Sequence, residues 1–123
     1  MKALVVDDSA VMRKVLVGAL GRASITEVDQ AADGQEAVNA VETTDYDLVL
    51  MDWNMPNMLG IDAVRAIREQ GKKMAIIMVT TEAEKSRVID ALKAGANNYI
   101  IKPFEPATIV SKIQETLAKV QQQ

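Results

Sequence analysis

Short apolar runs alternate along this chain with longer segments in which apolar residues recur at helical spacing. Ala3–Val6 is an uninterrupted β-rich run, the pattern of a strand buried on both faces. From Ser9, apolar residues fall at Val11/Met12, Val15/Leu16 and Ala19/Leu20, which predicts a helix capped by Ser9 and ending near Gly21. Thr26–Ala31 reads as a second strand, and its charges place it nearer a sheet edge. Asp33-Gly34-Gln35-Glu36 has the form of a capping box opening a short helix over Gln35–Val41. Leu48–Met51 is a third, buried strand. A loop with Met55-Pro56-Asn57 follows, then a helix over Ile61–Glu69 that Gly71 stops. Ala75–Val79 is a fourth strand, and Thr81-Glu82-Ala83-Glu84 is a second capping box, leading a helix over Glu84–Ala94 that ends at Gly95. Tyr99–Ile101 is the fifth strand. Pro106 sits at the first position of the last helix, with Ile109, Ile113, Leu117 and Val120 on one face.

Five β–α units in unbroken alternation predict an α/β fold: a five-stranded parallel sheet, doubly wound, with helices on both faces. The expectation is a single domain over residues 1–120, with glutamines 121–123 as a frayed end.

Because the strands are parallel, their carboxyl ends share one edge, where open α/β sheets bind ligands. Four of those ends carry reactive side chains: Asp7-Asp8, Asp52, Thr80 and Lys102. Taken singly, Asp7, Asp8 and Asp33 are explained as loop and capping acids. Asp52 is not, because it closes an apolar run where no cap is needed. Three carboxylates about 5 Å apart repel by about 3 kcal/mol per pair at an effective dielectric near 20. A cation relieves that repulsion, and carboxylate oxygens with waters are what Mg²⁺ takes. An aspartate beside a metal is a nucleophile suited to phosphorus and forms an acyl phosphate. Asp52 is the central candidate, with Mg²⁺ and Lys102 neutralising the transferred group and Thr80 donating to one of its oxygens. Pro103 directly after Lys102 is a position where a cis peptide fixes the direction of the lysine.

Composition narrows the chemistry further. The chain has no histidine and no cysteine, which removes histidine bases, phosphohistidine on this chain, thiol nucleophiles and iron–sulfur clusters. A net charge of −3 without a basic block argues against direct nucleic-acid binding. Ala3–Val6 before two aspartates is too short for a signal peptide, and no apolar run approaches the roughly 20 residues of a membrane span. A cytoplasmic protein without membrane insertion is expected. A dinucleotide or flavin site fits poorly: the first βα loop reads Asp-Asp-Ser where a glycine-rich phosphate cradle is needed, and the chain offers only four aromatic residues.

Val5-Val6-Asp7-Asp8-Ser9, Asp52-Trp53-Asn54-Met55-Pro56-Asn57-Met58, Val79-Thr80-Thr81-Glu82-Ala83 and Lys102-Pro103-Phe104 together resemble the receiver domain of two-component response regulators. The resemblance covers essentially the whole chain, and Asp52–Met58 is similar to the chemotaxis members of the CheY type. The flavodoxin-like strand order 2-1-3-4-5 comes with this resemblance, CheY being itself a standard example of that order. The resemblance implies that Asp52 is the phosphoacceptor and that Asp7, Asp8, Asp52 and the Asn54 carbonyl surround Mg²⁺, Asp7 through water. It implies that Lys102 and Thr80 contact the phosphoryl group. Tyr99 matches the family's aromatic switch, turning inward when Thr80 moves, although a half-buried strand tyrosine is the simpler reading of that residue alone. Asn54 and Glu82 stand where acyl-phosphate lifetime is tuned. Leu59, Thr81 and Glu115 depart from the family pattern, and Glu115 makes binding to the flagellar motor less secure than phosphorylation.

The expected function is a stand-alone, monomeric response regulator, phosphorylated by a histidine kinase and acting through an output partner such as the flagellar motor switch. A phosphatase is a further candidate partner. The alternative is a phosphorelay intermediate between histidine proteins. A turnover phosphatase of the haloacid-dehalogenase type is disfavoured, since it calls for Asp-x-Asp after the first strand and a cap domain. The chain is thus expected not to be a turnover enzyme beyond slow self-dephosphorylation.

Overall fold

The computed structural model describes residues 1–121. Among them, strands and helices alternate as β1 (Lys2–Val6), α1 (Ala10–Arg22), β2 (Glu27–Ala31), α2 (Gly34–Thr43), β3 (Leu48–Met51), α3 (Gly60–Glu69), β4 (Ala75–Thr80), α4 (Lys85–Ala94), β5 (Asn98–Ile101) and α5 (Pro106–Gln121). All strand pairs are parallel, in the order β2-β1-β3-β4-β5. The doubly wound sheet with the 2-1-3-4-5 order is therefore the fold. None of the described helices is long and apolar enough to cross a membrane.

The central strands are apolar at every position because each successive side chain enters a different core. Leu4, Val6, Val49, Met51, Ile76 and Met78 face α2, α3 and α4, while Ala3, Val5, Leu48, Leu50, Ile77 and Val79 face α1 and α5. The outer strand β2 is different: Glu27 and Gln30 are exposed and Asp29 pairs with Lys2 at 3.5 Å. This is the edge position that its charges predicted.

Several boundaries differ from expectation for identifiable reasons. Helix α1 runs through Gly21 and ends at Arg22, because Ser24 adopts the left-handed conformation (φ 66°). Ser24 N–H then bonds the Gly21 carbonyl and Ile25 N–H bonds that of Leu20, the paired bonds of a Schellman ending. Asp33 caps α2 as expected, accepting from Glu36 N–H at 2.8 Å, and the helix continues past Val41 to Thr43. The second capping box does not form. Glu84 is the N-cap of α4 and makes no side-chain capping bond, and just ahead of it the Thr80 hydroxyl accepts Glu82 N–H. Gln121, expected in the frayed end, is the last residue of α5, and residues 122 and 123 lie outside the described residues.

Arg68, at the end of α3, ties three segments together. Its Nε and Nη2 donate to the Gly95 carbonyl at 3.0 and 2.9 Å, and Nη1 donates to the Lys72 carbonyl. Nη2 also reaches Asn97 Oδ1, which accepts Ile76 N–H. Arg68→Met keeps the stem and removes every donor. It is expected to cost about 1–3 kcal/mol, the penalty for stranding such groups, read as a lower urea midpoint with an unchanged slope.

Candidate functional site

Sheet register assembles the site. Val6 lies opposite Met51, so the residues that follow, Asp7 and Asp52, emerge side by side at the carboxyl edge. Their backbones are held there: Asp7 N–H bonds the Ala31 carbonyl and Asp52 N–H the Val6 carbonyl. Asp7 and Asp52 are buried and Asp8 is exposed, with one carboxylate oxygen from each within 4.8 Å of the others. On the other side, Thr80 lies opposite Ile101, and Lys102 N–H bonds the Thr80 carbonyl at 2.8 Å. The Lys102–Pro103 bond is cis. Lys102 Nζ lies 2.7 Å from Asp7 Oδ2 and 3.4 Å from Asp52 Oδ2.

One ammonium among three carboxylates leaves the cluster with excess negative charge. Burial pushes the Asp52 carboxyl above its ordinary pKa; the Lys102 ammonium pulls it down, and the Asp7 carboxylate pushes it up again. The Trp53 amide, 2.7 Å from Oδ1, and the Thr80 hydroxyl both favour the charged form. Both Asp7 oxygens already accept hydrogen bonds, Oδ1 from Ser9 N–H and Oδ2 from Lys102, whereas the Asp8 carboxylate is open to solvent. An all-oxygen, net-negative donor set fits a hard divalent cation.

Glu82 joins the remaining expected residues. Its amide donates to Thr80 Oγ1, its carbonyl accepts from the Tyr99 hydroxyl at 2.6 Å, and its carboxylate accepts from Asn54 Nδ2 at 2.8 Å. Tyr99 is buried here, with its ring in the core beneath α4, where half-burial was the simpler expectation. The Asn54 side chain is thus committed to Glu82 and not to the carboxylate cluster.

Sequence reading missed three supports. Gly60 N–H bonds the Trp53 carbonyl at 2.8 Å, and a Cβ on Gly60 would lie 1.8 Å from the Asp52 carbonyl oxygen. Asn57, left-handed at φ 68°, donates to the Asp33 carboxylate at 2.7 Å and so pins the β3–α3 loop to the start of α2. Those bonds, from Glu36 N–H first and then Asn57, hold the Asp33 pKa below its ordinary value. Arg13 Nη1 bonds the Asp7 carbonyl at 2.6 Å while its Nε bonds Gln30. A glycine opening a helix, without a capping residue before it, was a signal for close approach; Asn57 and Arg13 carried none.

A parallel sheet of this order with an aspartate cluster and a lysine at its carboxyl edge defines a class, and the chain belongs to the response regulator receiver domain family, matched over residues 3–114. More particularly it is a CheY-like receiver of the chemotaxis type. It is similar to chemotaxis protein CheY1 of Helicobacter pylori, 44% identical over 120 residues covering 95% of this chain and 97% of that protein. It is also similar to chemotaxis protein CheY of Pseudomonas aeruginosa, 38% identical over 122 residues and 98% of each chain. Among solved structures, the CheX–CheY–BeF3–Mg²⁺ complex from Borrelia burgdorferi superposes with a TM-score of 0.90 at 32% identity, covering 94% of this chain and 87% of that one.

Two outcomes are expected. Gly60→Ala forces α3 away from the Asp52 backbone, costing about 3 kcal/mol or more by overpacking; thermal melting and Mg²⁺ titration of the same sample both register it. Both tyrosines are raised to about 12, Tyr46 by burial and then Asp29, Tyr99 by burial and then Glu82. Since the unfolded tyrosines lose protons near pH 10, stability is complete below that pH and falls as pH rises toward 12. Phenolate absorbance near pH 10 in the folded protein contradicts this.

Proposed function

We propose that this chain is a phosphorylation switch in which Asp52 accepts a phosphoryl group from a histidine kinase. The observation that carries the reading is Lys102, whose ammonium bridges buried Asp7 and Asp52 at the carboxyl edge. Asp7, Asp8 and Asp52 would hold Mg²⁺ together with the Asn54 carbonyl, Asp7 through water. Bound there, Mg²⁺ supplies positive charge against the phosphoryl oxygens.

In the transfer, an Asp52 carboxylate oxygen forms the new P–O bond as the P–N bond to the kinase histidine breaks and the imidazole leaves. Burial raises the basicity of this carboxylate, and Lys102 and the Trp53 amide keep it oriented and ionised. Lys102 then contacts a phosphoryl oxygen. The Thr80 hydroxyl, which accepts Glu82 N–H, turns its proton from Asp52 to another. Movement of Thr80 toward that oxygen shifts Glu82, and with it Tyr99, whose hydroxyl is bonded to the Glu82 carbonyl. Asn54 and Glu82, bonded to each other, govern water access and so the lifetime of the acyl phosphate. The resulting change on α4, β5 and α5 alters binding to an output protein, the flagellar motor switch in a chemotaxis setting. The complex of a related CheY with CheX, BeF3 and Mg²⁺ supports both the metal and a protein partner.

Intact mass after incubation with acetyl phosphate tests the chemistry. One phosphoryl group is expected on the wild type with Mg²⁺ and none without metal or on Asp52→Asn. Equal uptake by Asp52→Asn would remove Asp52 from the role.

A further inference from the structure

Arg87 has no counterpart in the chemistry described so far. It lies in the first turn of α4, where a cation is set against the helix dipole, and that turn contains no acid. Among the described residues, no carboxylate oxygen approaches its guanidinium within the 4.0 Å of an ion pair. Its partner is instead an aromatic face: Cζ stands 5.5 Å from the centroid of the Trp53 ring. That distance is within the range of a cation–π contact.

Trp53 is the residue next to Asp52, and it is only 3% exposed. Its amide donates to Asp52 Oδ1 at 2.7 Å, and its carbonyl accepts from Gly60. The backbone that carries the indole is thus the same backbone that holds the Asp52 carboxylate. At the start of α4 the other tie is apolar, Val88 packing part-buried against the core. Glu84 caps the helix without a side-chain bond, and Ala91 is the fully buried residue of this helix among the described residues. Its far end, by contrast, is fastened by Arg68 at Gly95.

We propose that Arg87 is a positioning residue of the acid pocket: seated on the indole, it holds Trp53 and thereby the carboxylate of Asp52 in the orientation that receives the metal. This rests on the reading of Asp7, Asp8 and Asp52 as the Mg²⁺ site. The coupling is reciprocal, as any linkage is, so that metal entering the pocket also favours the seated position of the first turn of α4. Pocket occupancy thus reaches α4 by a route separate from Thr80, Glu82 and Tyr99.

The sign of the effect distinguishes this role from simple electrostatics. Arg87 is a cation near an anionic pocket, so deleting its charge would by Coulomb's law alone tighten Mg²⁺ binding. Loss of positioning weakens it. The test is calorimetric Mg²⁺ titration of the wild type, Arg87→Met and Arg87→Lys, with acrylamide quenching of Trp53, the sole tryptophan, on the same samples. Arg87→Met is expected to weaken Mg²⁺ binding about three- to tenfold, the range of a cation–π contact. It should also expose Trp53 to quencher, and Arg87→Lys should restore most of both. Unchanged or tighter Mg²⁺ binding in Arg87→Met, beside a wild type that binds, overturns the inference. A wild type that takes up no Mg²⁺ overturns it as well, by removing the metal reading beneath it.

Discussion

The structure depends on gathering like charge at one edge of the sheet. Parallel pairing forces every strand to finish on the same side, so whatever terminates β1 and β3 is placed in contact. Here the terminating residues are aspartates. Lys102, arriving from β5 across β4, offsets only part of that charge, contacting Asp7 closely and Asp52 at 3.4 Å. A site so balanced is already folded and already short of positive charge. An all-oxygen site in that condition suits a hard divalent cation.

Around that edge the supports fall into two groups. Arg13, Gly60 and the Asp33–Asn57 pair fix backbone, leaving the loops that carry the acids little freedom. Glu82 is the opposite case. One residue makes hydrogen bonds with Thr80, Tyr99 and Asn54 through three different groups, so none of those side chains shifts without affecting the others. The rigid group fixes where the carboxylates stand, while the shared residue ties together the side chains around them.

The fold was legible because its pattern is coarse. Continuous apolar runs such as Leu48–Met51 and Ala75–Val79 are unambiguous when helices must cover both faces, and charge on β2 marked the edge. Boundaries were less legible where a side chain chose between local partners. Thr81 and Glu84 match a capping box by spacing, yet Glu84 is itself the N-cap and no side chain caps α4. Gly21 resembled a stop, but Ser24 supplies the left-handed turn. At the site, the strand-end residues could be named from sequence because topology alone brings them together. Arg87 and Asn57 could not, since their contacts depend on side-chain direction across different elements.

The outer strand has a consequence for the behaviour of the chain in a crowded solution. A parallel sheet of five strands has two open margins, and β2 supplies one of them with Glu27 exposed and Asp29 only part-neutralised by Lys2. A second strand seeking backbone partners there meets fixed negative charge along its length and must strip water from it to pair. The same apolar interior that allows a short chain to fold is thereby kept from recruiting copies of itself, and fibre-like growth from this margin is discouraged.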